Sequence, residues 1–223
     1  MHLGINHERT YRVYGAVGSG SVAVEAALTL LKQPYEVVEA VTWLGEEQRA
    51  IVRPVNPMEQ IPVLVTPQGE VTTESAAILI WLGDLHPEAG LAPGVRDPER
   101  AQYLRWMSFI PASIYSMFWV RDVPDRLAPS KDAQDALLER TVERIKFCWK
   151  TMDAAVEPGP WILGPRMSLL DLYVTVVSRW TPRRRWLHEA CPNLAEVVTR
   201  IDALPELQAF WAERFPFSEG WEG

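Results

Sequence analysis

Cysteine is nearly missing from this chain: Cys148 and Cys191 stand far apart among 223 residues and fit no metal-ligand or redox spacing. A reducing cytoplasm is the default inference. A cationic excess is missing as well, since 22 Lys and Arg face 29 Asp and Glu, a formal net charge of −7. That balance offers no electrostatic footprint for a polyanion, so nucleic acid and anionic membrane are disfavoured and small-molecule partners are favoured. No apolar run approaches the roughly 20 residues that a membrane helix needs. Met1 to Thr10, with His2, His7, Glu8 and Arg9 and no apolar core, reads as neither a signal peptide nor an anchor. Internal repeats and low-complexity tracts are also absent. What remains is ordinary globular material, 48% hydrophobic and 23% charged, long enough for one large domain or two small ones.

In chain order, Tyr11 to Tyr14 reads as a strand, Gly15 to Ser21 as a loop of small residues, and Val22 to Lys32 as a helix. Pro34 to Glu39 gives a second strand, parallel to the first if the helix is a crossover. Glu46 to Arg53 is a short helix before Pro54. Residues 86–98 are rich in Pro and Gly and interrupt the apolar periodicity. This places a first domain at 1–86, a linker at 87–98 and a second domain at 99–223. In the second, Glu99 to Val120, Asp132 to Val156, Leu169 to Arg179, Asn193 to Leu204 and Pro205 to Phe215 all carry helical spacing with no strand pattern between them. Ser168-Leu169-Leu170-Asp171 follows the pattern of a capping box, which makes Asp171 structural and not catalytic.

The most informative stretch is Asn56 to Ser75. Val63, Leu64 and Val65 form a short apolar strand, Pro67-Gln68-Gly69 supplies turn residues, and Glu70 to Thr73 returns as the partner strand. Ile61-Pro62 opens the hairpin. If that bond is cis, the chain turns sharply and leaves the Ile61 amide and carbonyl facing outward, where an extended peptide can pair with them. Glu74 and Ser75 then stand at the N-terminus of an apolar helix beginning Ala76-Ala77-Ile78. Free backbone amides favour a carboxylate there, Ser75 can donate a hydroxyl, and Glu74 can accept from an ammonium. That constellation suits an amino-acid head group.

Pro62 after a hydrophobic residue, followed by a hairpin and Glu-Ser-Ala-Ala-Ile, resembles the glutathione transferase superfamily. The β-α-β-α-β-β-α order resembles a thioredoxin-like domain, and the Ser168–Asp171 cap resembles a buried motif of the same family, so the resemblance runs from Tyr11 to Phe215. It implies an α/β N-terminal domain followed by an all-helical one, with glutathione as cosubstrate. By that resemblance Ile61, before the cis-proline Pro62, pairs with the cysteinyl part of glutathione. Glu74 and Ser75 hold its γ-glutamyl end, and Gln60 reaches its peptide backbone. The family often supplies a basic residue for the glycyl end, and none is evident between Thr42 and Gln48.

The sulfur should then point to the loop after the first strand. Ser19 is the foremost donor to the thiolate, at a spacing from Tyr14 similar to that of the theta and zeta classes; Ser21 is the reserve, and Tyr14 stands where other classes use a tyrosine. No cysteine occurs in this loop, unlike the omega and beta classes, so covalent thiol exchange is not expected, and Cys148 reads as core. The helix holding Pro111 resembles the family's electrophile wall, which makes Ile110, Tyr115 and Trp119 candidates to line the pocket of a small hydrophobic electrophile. Trp180 with Arg179 and Arg183 to Arg185 reads as a solvated helix end, with an anionic cosubstrate subsite as the minor reading. The resemblance implies a transferase acting in detoxification as a cytoplasmic homodimer. A glutathione-dependent isomerase, a peroxidase-like reductase and a noncatalytic scaffold remain as alternatives.

Overall fold

A computed structural model of the chain describes residues 10–217; the reading of residues 1–9 as lacking a signal or anchor lies outside the described residues. Two compact units emerge. The first holds residues 10–89 together with 202–217, and the second holds residues 90–201. The return of 202–217 to the first unit departs from the expectation that everything after residue 99 is one helical domain. Local periodicity cannot reveal it, because helical spacing says nothing about which core a helix joins.

The first unit is built in the expected order: β1 (Tyr11–Gly15), α1 (Ser21–Leu30), β2 (Tyr35–Glu39), α2 (Glu46–Val52), β3 (Val63–Val65), β4 (Val71–Thr73) and α3 (Ser75–Leu85). The strands form one sheet in the order β2-β1-β3-β4. β1 and β2 are parallel, and β3 and β4 run antiparallel to their neighbours. All three residues of β3 are buried, the mark of a central strand covered on both faces, while β2 and β4 are the partly exposed edges. Small and β-branched residues let α1 sink into this core. It is buried without interruption from Ser21 to Leu28, and α3 packs against it. The 3₁₀ turn Pro205–Leu207, which leads into the last helix, packs on α1 as well.

The second unit is helical: α4 (Arg100–Phe109), α5 (Ser116–Asp122), α6 (Lys131–Asp153), α7 (Leu169–Val177), α8 (Arg183–Ala190) and α9 (Pro192–Asp202), with α10 (Gln208–Arg214) following in the first unit. The single helix expected over Glu99 to Val120 is interrupted. Ile110–Tyr115 is a π-helical stretch with Pro111 as its second residue, and Pro111 has no N–H to give the preceding turn. The α8 helix was not anticipated, since its Arg183-Arg184-Arg185 start reads locally as a solvated end. In fact Arg179 and Arg184 are buried, and Arg184 donates to the Thr175 carbonyl at 3.0 Å. Cys148 and Cys191 are free and buried. Burial raises both thiols, and with the nearby Asp153 charge pushes Cys191 up to about 12. Native protein should therefore leave a disulfide-exchange reagent almost unreacted over minutes, whereas the unfolded chain should titrate as two thiols.

The capping box forms at the start of α7. Asp171 is fully buried and accepts from the Ser168 amide at 2.7 Å, the Ser168 hydroxyl at 2.9 Å and the Ile162 amide at 2.8 Å. Burial outweighs these three donors and pushes the carboxyl from 3.8 up to about 6. An acid raised in the folded state ionises first in the unfolded chain, so stability falls as pH rises from 4 to 6 and levels off above that. The stability of wild type relative to Asp171→Asn should decline by about 3 kcal/mol between pH 4 and pH 7 in urea titrations, at about 1.36 kcal/mol per pKa unit. Asp171→Ala, which orphans two buried amides, should cost about 3 kcal/mol or more at neutral pH.

Candidate functional site

Strand register gathers the segments singled out above. Tyr14 lies opposite Val63, and Val63 lies opposite Thr73. The loop after β1, the Ile61-Pro62 bond before β3 and the Glu74-Ser75 start of α3 therefore share one end of the sheet. The Ile61-Pro62 peptide is cis. Among the described residues none hydrogen-bonds to the Ile61 amide or carbonyl, so both ladder groups remain available beside the central strand. Pro62 is buried behind them and Gln60 is exposed.

Asn56 fixes the approach to this bond. Its side-chain amide donates to the Gln60 carbonyl at 2.9 Å, and its Oδ1 accepts from the Met58 amide at 3.0 Å. Asn56 was not a sequence candidate; an Asn-Pro pair five residues ahead of Ile61 is the local signal that points to it.

Glu74 is exposed, at φ 66° and ψ 105°, a backbone region that side chains rarely adopt and that costs on the order of 1–3 kcal/mol. It directs its carboxylate outward just ahead of α3. Ser75, 7% exposed, is the first residue of that helix.

In the loop after β1, three hydroxyl and carboxylate groups form a buried chain. The Ser21 hydroxyl donates to Glu25 Oε1 at 2.6 Å, and the Ser19 and Ser21 oxygens lie 2.9 Å apart. Since the carboxylate takes the Ser21 proton, Ser19 is the donor within the serine pair. Ser19 Oγ in turn accepts from the amides of Ala16 at 3.3 Å and Ser21 at 3.2 Å. Both serines are buried, but only Ser19 retains accessible surface, at 7% against 0%. Gly15 makes this packing possible: a Cβ there would stand 2.2 Å from Ser21 Oγ. Tyr14, by contrast, packs against the cluster of Ala40, Val52 and Val63.

Glu25 was missed at the sequence level, although a lone acid in an otherwise apolar helix is a usable signal. Its partner Arg214, 189 residues away, carries no signal at all. Arg214 Nε meets Glu25 Oε2 at 2.5 Å, and its Nη1 donates to Glu39. Burial opposes the guanidinium charge, yet the two carboxylates hold it above the ordinary arginine range.

Among the aromatic candidates, Tyr115 packs edge-on to Trp180 with ring centres 5.0 Å apart, and Trp119 is exposed beneath the Arg126 guanidinium. Ile110 has no exposed surface and belongs to the core, a correction to its reading as a lining residue; it opens the π-helical stretch and faces inward.

Comparison with known proteins places the chain in a family. Residues 14–90 match the glutathione S-transferase N-terminal domain, and residues 126–214 match the glutathione S-transferase C-terminal domain. The uncharacterized GST-like protein YncG of Escherichia coli K12 is 31% identical over 88% of this chain and 95% of its own. The glutathione S-transferase GstA of Escherichia coli O157:H7 is 27% identical over 69% of this chain and 73% of its own. A sphingomonad glutathione S-transferase solved in complex with glutathione is 25% identical, with a TM-score of 0.71 over 89% of this chain and 96% of that one. The chain belongs to the glutathione S-transferase family.

Proposed function

We propose that this protein binds glutathione on its first unit and catalyses attack of the glutathione thiolate on a small apolar electrophile. The observation that carries the reading is the register that brings Ser19, Ile61 and Glu74-Ser75 to one end of the sheet. Glutathione lies as an extended peptide along the open backbone groups of Ile61. Glu74 accepts from its α-ammonium, the Ser75 hydroxyl and the amides opening α3 take its α-carboxylate, and Gln60 meets the peptide backbone. The sulfur then reaches the loop after β1.

Ser19 is the proposed donor to the thiolate. A serine hydroxyl is too weak a base to remove the thiol proton; its part is to stabilise the anion. One hydrogen bond to a charged group contributes about 1.5–3 kcal/mol, which lowers a thiol pKa near 8.5 by about one to two units. Ser19 Oγ accepts from the Ser21 amide and shares the Ala16 amide with Ser21 Oγ, while its single proton has two destinations, Ser21 or an incoming thiolate. Ser21 is disfavoured because its own proton goes to Glu25 and it has no exposed surface. Tyr115 and Trp119, in the helical unit, are the proposed contacts for an apolar cosubstrate. A thiol cosubstrate and two free buried cysteines suit a reducing cytoplasm, and a homodimer is the proposed assembly.

The reading is tested by a glutathione titration followed through tryptophan fluorescence, for which the chain's ten tryptophans provide the signal. Saturable binding is expected; its absence in calorimetry would favour a noncatalytic scaffold. Glu74→Gly separates binding from folding. It removes the strained side-chain-bearing position and should leave the melting temperature equal or higher, while the lost charged acceptor weakens glutathione binding by about tenfold or more. Ser19→Ala should still bind glutathione, with the thiolate absorbance titration displaced upward by about one to two pH units. An unchanged titration would remove Ser19 from the mechanism.

A further inference from the structure

We propose that Glu25 and Arg214 are positioning residues for Ser19, and that α10 thereby belongs to the machinery that holds the thiolate. This rests on the reading of Ser19 given above.

Glu25 lies in a helix segment with no exposed residue surface for water to reach, so its charge must be met from within the protein. Arg214 meets it through two nitrogens, Nε at 2.5 Å and Nη2 at 3.3 Å, and turns its remaining nitrogen to Glu39 at the end of β2. The same residue holds the loop through its main chain, because the Gly18 amide donates to the Arg214 carbonyl at 2.9 Å. Gly18 adopts φ +70° with the Phe215 ring beside it, at 3.6 Å from the place a Cβ would occupy. Arg214 and Phe215 therefore grip the residue next to Ser19 from one side, while Arg214 reaches Ser19 itself from the other through Glu25 and Ser21.

The direction of each proton gives the chain its purpose. Glu25 takes the Ser21 proton, so Ser21 can only accept from Ser19, and the strength of that acceptance competes with a thiolate for the Ser19 proton. A more negative Glu25 polarises Ser21 into a better acceptor and holds the Ser19 proton inward. The Arg214 charge offsets this and leaves the proton free to turn outward. The two residues thus act on the thiolate with opposite signs, a signature that a purely structural pair would not give.

The test measures the pKa of enzyme-bound glutathione by thiolate absorbance, with kcat and KM, in wild type, Ser19→Ala, Glu25→Gln, Arg214→Met and Arg214→Lys. Arg214→Met is expected to raise the bound thiol pKa by about one unit, which leaves about tenfold less thiolate and a correspondingly lower kcat at acidic pH, with KM for glutathione little changed. Arg214→Lys, which keeps the charge, should recover part of the loss. Glu25→Gln keeps an acceptor for Ser21 and removes the negative charge, so the thiol pKa should fall; this variant decides the matter alone if Arg214→Met does not fold. In a Ser19→Ala background both shifts should shrink by at least half. If Ser19→Ala moves the titration but Glu25→Gln and Arg214→Met leave it unchanged, or both move it the same way, this inference is overturned and the role of Ser19 stands. If wild type binds no glutathione, or Ser19→Ala changes nothing, the reading of Ser19 falls and this inference with it.

Discussion

The antiparallel pairing of β3 between β1 and β4 is the constraint on which the candidate site depends. Because Val63 faces Tyr14 on one side and Thr73 on the other, three segments far apart in the chain end at the same edge of one sheet. A slip of one residue would exchange the faces of β3, whose three residues are all buried, and would move Ile61 away from the loop after β1. The candidate site is thus held by the core and not by its own loops, which lets Glu74 keep a strained backbone without loosening the start of α3.

Two buried carboxylates show how differently a folded chain can accommodate the same group. Asp171 is held by three hydrogen-bond donors and, among the described residues, by no cation, and burial still prevails, leaving its carboxyl at about 6. Its work is to organise the start of α7. Glu25 is met by a guanidinium instead, and that pairing draws the end of α10 onto α1. A lone buried charge is costly, and a partner must come from wherever the chain can supply one. Here it comes from the far end of the sequence, in the segment 202–217 that groups with the first unit.

The helical unit follows a related logic at Pro111. Its missing N–H leaves the preceding turn without a donor, and the backbone widens into a π-helical stretch before resuming as α5. At the start of that stretch Ile110 lies in the core, while Tyr115 and Trp119 beyond it keep accessible surface.

Much of the fold was legible in the amino-acid order because its signals are short-range. The strand-loop-helix start, the Pro-Gln-Gly hairpin, the Glu74-Ser75 helix entry and the Ser168–Asp171 cap each depend on residues within a few positions of one another. So does the nomination of Ser19, Ile61 and Glu74 as candidates, since each is marked by its immediate neighbours. What the sequence left open was set by contacts between distant residues. Ser19 and Ser21 are equivalent in a Ser-Gly-Ser loop until Glu25 claims the proton of one of them. Arg179 and Arg184 read as solvated until a core closes over them, and Ile110 reads as pocket until the core takes it in. Local sequence determined which elements form and which chemistry they carry; only tertiary structure decided burial, the pairing of Glu25 with Arg214 and the direction of each hydroxyl, because these depend on neighbours that no local pattern brings together.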